Sequence, residues 1–253
     1  MSDAVLSNCR ALVTGGAKGI GAAISQRLAE AGADVVVSGR TEAELDAFAA
    51  WLVERTGRKV VGIPADLAEP SAPDELAERA WAAYGGLDLL VNNAGIAITG
   101  PAAELRAADW DAVLGVNLRA PALLAARIGA RMADVGGGRI VTIASVAGLR
   151  ALREHYAYCA SKAALIMATR VLALELGARG VRANSICPTV VLTEMGTKVW
   201  GDEAKSAPML ARIPAGHFAQ PVDVAEAVLY LASPAGEMIN GTELVLDGGY
   251  LVT

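Results

Sequence analysis

The stretch Thr14 to Gly21, T-G-G-A-K-G-I-G, constrains this chain more than any other. An apolar run, Arg10 to Thr14, leads straight into it and reads as a buried strand. A segment with helical spacing through Ile24 and Leu28, Ala22 to Ala31, leads out of it and ends at Gly32. Backbone N–H groups at a helix start, with the helix dipole behind them, favour a pyrophosphate. Gly15, Gly19 and Gly21 would let the backbone approach one with no Cβ in the way, and Ile20 lies between the last two. A plain tight turn has the same local look. The position between a first strand and a first helix is what favours the phosphate reading.

The alternation continues along the chain. Asp34 to Ser38 reads as a second strand, rich in β-branched residues. Thr41 is placed to cap the next helix, with Glu44 as a capping-box partner three residues on. Lys59 to Ile63 reads as a strand, Pro73 to Tyr84 as a helix and Leu87 to Val91 as a strand. Ala102 to Ala133 reads as helical with a break near Asp109, and Arg139 to Ile143 as a strand. His155 to Gly177 is a long helix, Val181 to Ile186 a strand, Val222 to Ala232 a helix and Glu243 to Leu246 a last strand. Alternation with near-continuous apolar strands predicts an α/β fold whose parallel sheet is covered on both faces. With no repeat or low-complexity linker, residues 1–253 read as one domain. Only Pro188 to Pro221 lacks a clean period; it holds Met195, Trp200 and Met209. A long loop after the C-terminal end of a strand lies where doubly wound sheets place ligands, so 188–220 reads as a substrate loop.

Composition excludes several classes. Hydrophobic residues make up 54% and aromatics 4%, so a large core must be built from Ala, Val, Leu and Ile. A net charge of −5 with no basic run argues against a nucleic-acid partner. No apolar stretch stands out as a membrane span of 18 or more residues, so no membrane partner is expected. Met1 to Cys9 carries Asp3 and lacks the pattern of a signal peptide. Cys9, Cys159 and Cys187 are odd in number and scattered, so neither a disulfide framework nor a metal site is expected, and a reducing cytoplasmic setting fits.

At the end of the second strand a dinucleotide fold often carries an acid for the ribose 2′-hydroxyl. Here Ser38-Gly39-Arg40-Thr41 has none. Arg40 can clamp a 2′-phosphate by charge-assisted hydrogen bonds, and Lys18 can add a second positive charge. This favours NADP(H) and leaves NAD(H) open, since both cations would also suit a solvated surface. Asp66, after the third strand, is placed to accept from an adenine amino group. Asn92 to Gly95, N-N-A-G, follows the fourth strand and can lie along the adenine-side ribose.

Tyr158 and Lys162, in Y-C-A-S-K, stack on one helical face. An ammonium beside a phenol, together with an oxidised nicotinamide, favours the phenolate. Lowering a phenol by about 3 pKa units takes about 4 kcal/mol of differential stabilisation. An ordinary helix with an exposed Tyr and Lys gives the same spacing, so the context decides. Ser145 follows a strand 13 residues upstream of Tyr158 and can hydrogen-bond a substrate oxygen. Asn117, in G-V-N-L-R, can kink its helix by holding a water that links Lys162 to solvent.

The glycine turn, N-N-A-G, Asn117, Ser145 and Y-x-x-x-K, in this order and spacing, resemble the short-chain dehydrogenase/reductase family over about residues 8 to 250. The resemblance implies a seven-stranded Rossmann sheet in the order 3-2-1-4-5-6-7 and a homotetramer. It implies hydride transfer between nicotinamide C4 and an alcohol or carbonyl carbon. Carried over, Ser145 orients the carbonyl, Tyr158 is the general acid/base, Lys162 binds the nicotinamide ribose and tunes Tyr158, and Asn117 completes a proton relay. The cofactor set adds Leu67, Asn93, Ala94, Pro188, Val191 and Thr193 to the residues above. Most members have P-G after the sixth strand; this chain has Pro188-Thr189, so Thr189 reshapes the nicotinamide and substrate wall.

P-T-V-V-L-T-E-M-G with Trp200, and His155 and Cys159 flanking Tyr158, resemble the L-xylulose reductase (dicarbonyl reductase) branch and nearby bacterial polyol dehydrogenases. Lys18, Arg40 and Thr41 match the 2′-phosphate readers of that branch. The C-terminal M-I-N-G-T-E-L-V-L-D-G-G-Y is closer to bacterial sugar-alcohol dehydrogenases, some of which use NAD, so the two hints conflict on cofactor. The resemblance implies a small polyol/ketose or dicarbonyl substrate met by Ser145, His155, Tyr158, Thr189 and Trp200. A 3-oxoacyl or hydroxysteroid reductase is the alternative, and a non-catalytic dinucleotide-binding protein a remote one. His217 reads as surface, Cys159 as a small residue beside the site, and Asp247-Gly248-Gly249 as a turn.

Overall fold

Val35, Val36 and Val37 are each fully buried, on both faces of one strand. Only a strand inside a sheet covered on both sides permits this. A computed structural model describes residues 4–253, apart from the side chains of Met195, Val199 and Lys205. The described residues therefore leave out Met1 to Asp3, on which the signal-peptide expectation partly rests, and the side chain of Met195.

The strands are β1 (Arg10–Thr14), β2 (Asp34–Gly39), β3 (Val60–Pro64), β4 (Leu89–Asn92), β5 (Gly138–Ile143), β6 (Val181–Pro188) and β7 (Glu243–Leu246). They form one sheet in the order β3-β2-β1-β4-β5-β6-β7, and every pairing is parallel. The order implied by the family resemblance is the one found. Register aligns Thr14 with Ser38, and Asn92 with Thr142. The C-terminal ends of β1, β2, β4 and β5 thus share one edge, where the crossovers leave a crevice.

The helices are α1 (Gly19–Glu30), α2 (Glu42–Thr56), α3 (Ala72–Tyr84), α4 (Ala107–Leu114), α5 (Ala120–Asp134) and α6 (Tyr156–Leu176). They are followed by α7 (Glu194–Trp200), α8 (Glu203–Leu210) and α9 (Pro221–Ala232). One face of the sheet packs on α1, α2 and α9 through Ile24, Leu28, Leu45, Leu52, Val224 and Val228. The other packs on α3, α5 and α6 through Leu76, Leu124, Ile128 and Ala173. A third, smaller cluster lies outside the sheet. It joins Val146, Ile213, Phe218 and Tyr250, so it ties the segment after Ser145 to the 188–220 segment and the last residues.

The helical stretch from Ala102 is interrupted at residues 105–106, close to Asp109, whose carboxylate sits in the first turn of α4 and takes two bonds from Arg106 at 2.6 Å. It is distorted again at Gly115–Arg119, a wide π turn between α4 and α5 that contains Asn117, where a kink was expected. Three expectations need correction. The Thr41 side chain makes no cap bond, and Glu44 reaches Lys18 instead of closing a capping box. The 188–220 segment is not a plain loop: Thr193 and Asp202 cap α7 and α8 by accepting from Gly196 and Ala204 N–H. Helices of seven and eight residues are too short to reveal a period. Lastly, Ala107–Asp134 and Tyr156–Arg179 are long and apolar enough to cross a membrane by length and hydropathy alone. Their α5 and α6 portions layer against the sheet, which accounts for that apolar character.

Candidate active site

Beyond the strand ends lies a cleft of about 430 Å³. Gly15, Lys18, Arg40, Thr41, Asp66, Leu67, Ala94 and Gly95 line it, with Glu44 among them. The cleft runs across the ends of β1, β2, β3 and β4 and suits the adenosine half of a dinucleotide.

The glycine turn has two separate demands. Gly15 and Gly19 adopt left-handed backbone, at φ +62° and +52°. Gly21 is required for a different reason. A Cβ there would lie 2.0 Å from the Gly15 carbonyl oxygen and 2.6 Å from Asn93 Nδ2. Its role is internal packing of the turn, whereas the sequence suggested approach to a ligand. Asn93 likewise turns inward: its Nδ2 donates to the Thr14 and Gly15 carbonyls at 2.9 and 3.2 Å. Thr14 Oγ1 accepts from the N–H groups of Asn93 and Ala94. The N-N-A-G segment therefore braces the turn. The Asp66 carboxylate accepts from Ala68 N–H at 3.0 Å at the rim of the cleft.

At the adenosine end the charges are solvated. Lys18 Nζ donates to Glu44 Oε1 at 2.7 Å, and the two side chains are 73% and 46% exposed. Arg40 is exposed too. Lys18 holds the Glu44 carboxyl below its usual range, with smaller lowering by Thr41 and Arg40.

At the chemical end the charges are buried. Lys162 is 4% exposed, and its Nζ donates to the Ile143 carbonyl at 2.8 Å. Burial pushes its ammonium down to about 8. Its Nζ stands 5.7 Å from the Tyr158 ring centre. Burial also pushes the Tyr158 phenol up, and the Ser145 hydroxyl opposes the rise. Desolvation disfavours charge on both partners, so the phenolate expected beside an ammonium and an oxidised nicotinamide forms against the effect of burial.

Ser145 starts the segment after β5. Its Oγ accepts from Ala147 N–H at 3.1 Å and lies 3.5 Å from the Pro188 carbonyl. Gly148 lets that segment close on α6, since a Cβ there would lie 2.8 Å from the Lys162 backbone. Asn117 is fully buried in the π turn. Its Oδ1 accepts from Ile96 N–H and its Nδ2 donates to the Ile96 carbonyl, both at 2.8 Å. Nδ2 also reaches Ser161 Oγ at 3.3 Å. Asn117 thus joins the π turn to α6 beside Lys162, since a Cβ on Gly95 would lie 3.3 Å from Asn117 Oδ1 and 3.7 Å from Lys162 Nζ.

The wall residues divide. His155 sits edge-on to Tyr158 at 6.0 Å, with Nδ1 2.7 Å from the Arg153 carbonyl. That bond requires a proton on Nδ1, so Nε2 is the acceptor in the neutral ring. Thr189 Oγ1 is buried without a partner, while its N–H holds the Leu246 carbonyl at 3.0 Å. Trp200 packs on Phe218 at 5.7 Å in the third cluster. Val191 bridges Ala219, and Thr193 stands beside the glycine turn, its methyl 3.2 Å from where a Gly19 Cβ would lie. His217 is exposed, as expected of a surface residue, with its Nδ1 at 3.2 Å from the Phe218 carbonyl. Asp247 closes its turn by accepting from Gly249 and Leu251 N–H at 2.8 Å. Cys9, Cys159 and Cys187 are free thiols, and burial pushes Cys187 up to about 11. Sequence reasoning missed Glu44 as a cleft residue; its signal was an acid three positions after Thr41, which a local capping motif explained equally well.

A cleft at a glycine turn joined to Tyr158 beside a buried Lys162 defines an NAD(P)-dependent oxidoreductase, and the chain belongs to the short-chain dehydrogenase/reductase family. A family profile described as Enoyl-(Acyl carrier protein) reductase matches residues 15–251. The D-threitol dehydrogenase of Mycolicibacterium smegmatis is 45% identical over 242 residues, 96% of this chain and 92% of that one. The L-xylulose reductase of Mesocricetus auratus is 42% identical over 252 residues, 99% and 100% of the two chains. A crystal structure of a short chain dehydrogenase from Burkholderia cenocepacia in complex with NADP has a TM-score of 0.90 at 40% identity, covering 98% of this chain and 99% of that one.

Proposed function

We propose that this protein interconverts a small polyol and its ketose with NADP(H), and accepts NAD(H) as a second nucleotide. The observation that carries the reading is Lys162, a buried ammonium next to Tyr158 with Ser145 facing the phenol. Similarity to D-threitol dehydrogenase and L-xylulose reductase supports the substrate class. Lys18 and Arg40 in the cleft, together with the NADP-bound relative, support the nucleotide.

The nucleotide would lie along Gly15 to Gly21, with Thr41, Asp66, Leu67, Ala94 and Gly95 on its adenosine side and Pro188, Val191 and Thr193 near its nicotinamide. When bound, the nicotinamide supplies or takes up a hydride. Ser145 Oγ holds the substrate oxygen by a hydrogen bond. In reduction the protonated Tyr158 phenol gives its proton to that oxygen. In oxidation the phenol must first lose a proton, and Lys162 and Asn117 lie behind it as the route for that proton. The His155 Nε2 acceptor and the unpartnered Thr189 hydroxyl suit a substrate rich in hydroxyl groups, and Trp200 supports the wall through Phe218. Small dicarbonyls fit the same group.

Met167, Val171 and Leu174 leave an apolar face on α6, which supports a homotetramer, and the free thiols support a cytoplasmic setting. The test is a panel of C4 to C6 polyols and ketoses and small diketones against both nucleotides in both redox states. Purified protein that turned over none of them would sink the reading.

A further inference from the structure

Glu44 has no part in the reading above, although it faces the adenosine cleft. It stands in the first turn of α2, and its carboxylate reaches across the cleft mouth to Lys18 at 2.7 Å. Arg40 and Thr41 also act on it. The carboxylate thus holds one of the two cations that favour a 2′-phosphate and shares the cleft with the other. A cleft built for phosphate alone would exclude it, because a carboxylate repels a phosphate dianion. Two cations and one carboxylate leave roughly one net positive charge against a group carrying up to two negative ones. The end of β2, Ser38-Gly39, supplies no acid for a ribose hydroxyl. Glu44 brings one to the same pocket from the next element. The pair with Lys18 is solvated on both sides, so opening it costs little.

We propose that Glu44 is a specificity-determining residue that lets one cleft take both nucleotides. Closed on Lys18, it masks part of the phosphate site. Released from Lys18, it accepts hydrogen bonds from the ribose hydroxyls of a dinucleotide that lacks the 2′-phosphate. The inference rests on the placement of the nucleotide in this cleft given under Proposed function. It gives one physical origin to two conflicting sequence hints, the basic pair for NADP and the C-terminal likeness to enzymes of which some use NAD.

The test is calorimetric binding of 2′,5′-ADP and 5′-AMP, which probe the adenosine end without turnover, and of NADPH and NADH. Wild type, Glu44→Gln and Lys18→Met are compared, with the double variant closing a cycle. Glu44→Gln is expected to tighten 2′,5′-ADP about fivefold, the scale of one like-charge contact near a surface. The same change weakens 5′-AMP and NADH, so the ratio of affinities moves toward the phosphorylated ligand. The gain for 2′,5′-ADP shrinks when Lys18 is already Met, since the masked cation is gone. An unmoved ratio, or one that moves toward 5′-AMP, overturns the proposal while the nucleotide site stands. Failure of the wild type to bind any of the four ligands overturns both.

Discussion

Lys18 and Lys162 stand at the two ends of the site in opposite surroundings. The Lys18 side chain is 73% exposed and shares a carboxylate with solvent. Lys162 is 4% exposed, and the partner of its Nζ is a backbone carbonyl. Water screens the first, so it can guide and discriminate a charged ligand while contributing little to folding. The second is held dry, so its charge costs stability and its proton is poised near neutrality. Tyr158, half-buried beside it, has its phenol pushed up by the same desolvation. Recognition and chemistry thus rely on the same functional groups under different dielectric conditions, and variants that touch one end should leave a different signature from variants that touch the other.

The largest effect is expected from Tyr158→Phe. Removing the proton donor should lower kcat by about 10³-fold, within the usual range for a general acid/base, while nucleotide affinity stays within about twofold. Stopped-flow turnover and nucleotide titration on the same sample separate the two. Retained turnover would remove the phenol from the chemistry.

Lys162→Met should act in two directions at once. Turnover falls, by about 10²-fold on the same scale. Stability moves the other way. The lysine has its folded pKa lowered from 10.5 to about 8, so between those values the unfolded chain binds more protons than the folded one. Wild-type stability from this group therefore rises as pH climbs from about 8 to 10.5, and below 8 the full cost of the buried charge remains. The variant lacks that cost. It should be about 1–2 kcal/mol more stable at pH 7 once the lost bond to Ile143 is set against it, and the gap should close toward pH 10.5. Urea melts at several pH values measure this. A gap that widened with pH would contradict the buried-charge account.

Ser145→Ala gives the smallest and most specific signal in the pH profile of alcohol oxidation. The Ser145 hydroxyl opposes the burial-driven rise of the Tyr158 phenol. Its loss should move the rising limb of the profile to higher pH, on top of the lower rate from losing the substrate contact. A limb that stayed in place, or moved to lower pH, would separate Ser145 from the Tyr158 proton.

Much of this contrast was legible in the sequence. The bounds of β1 and β7 were read as they stand, because buried parallel strands show as short apolar runs. Tyr158 and Lys162 could be paired because helical spacing fixes a shared face. What sequence left hidden depends on long-range contacts. Glu44 fitted a local cap, and only the approach of the glycine turn to α2 shows that it serves Lys18. Asn93 belonged to a recognised motif, but its inward turn follows from the pairing of β1 with β4. A kink at Asn117 was legible in the sequence, but its form as a π turn was not. It follows from Asn117 taking both backbone groups of Ile96, a residue 21 positions away. The depth of Lys162 depends on β5, whose Ile143 carbonyl lies 19 positions upstream.

One experiment tests the contrast itself: raising salt from about 0.05 M to 0.5 M, which shortens the screening length from above 10 Å to below 5 Å. Nucleotide affinity and turnover at saturating nucleotide and substrate are followed together. The account predicts that the Kd of the 2′-phosphorylated nucleotide rises about fivefold while saturated kcat stays within about 1.5-fold, because screening reaches Lys18 and Arg40 but not Lys162. Turnover that fell in step with affinity would mean that the Tyr158–Lys162 pair is open to solvent, and would contradict the account.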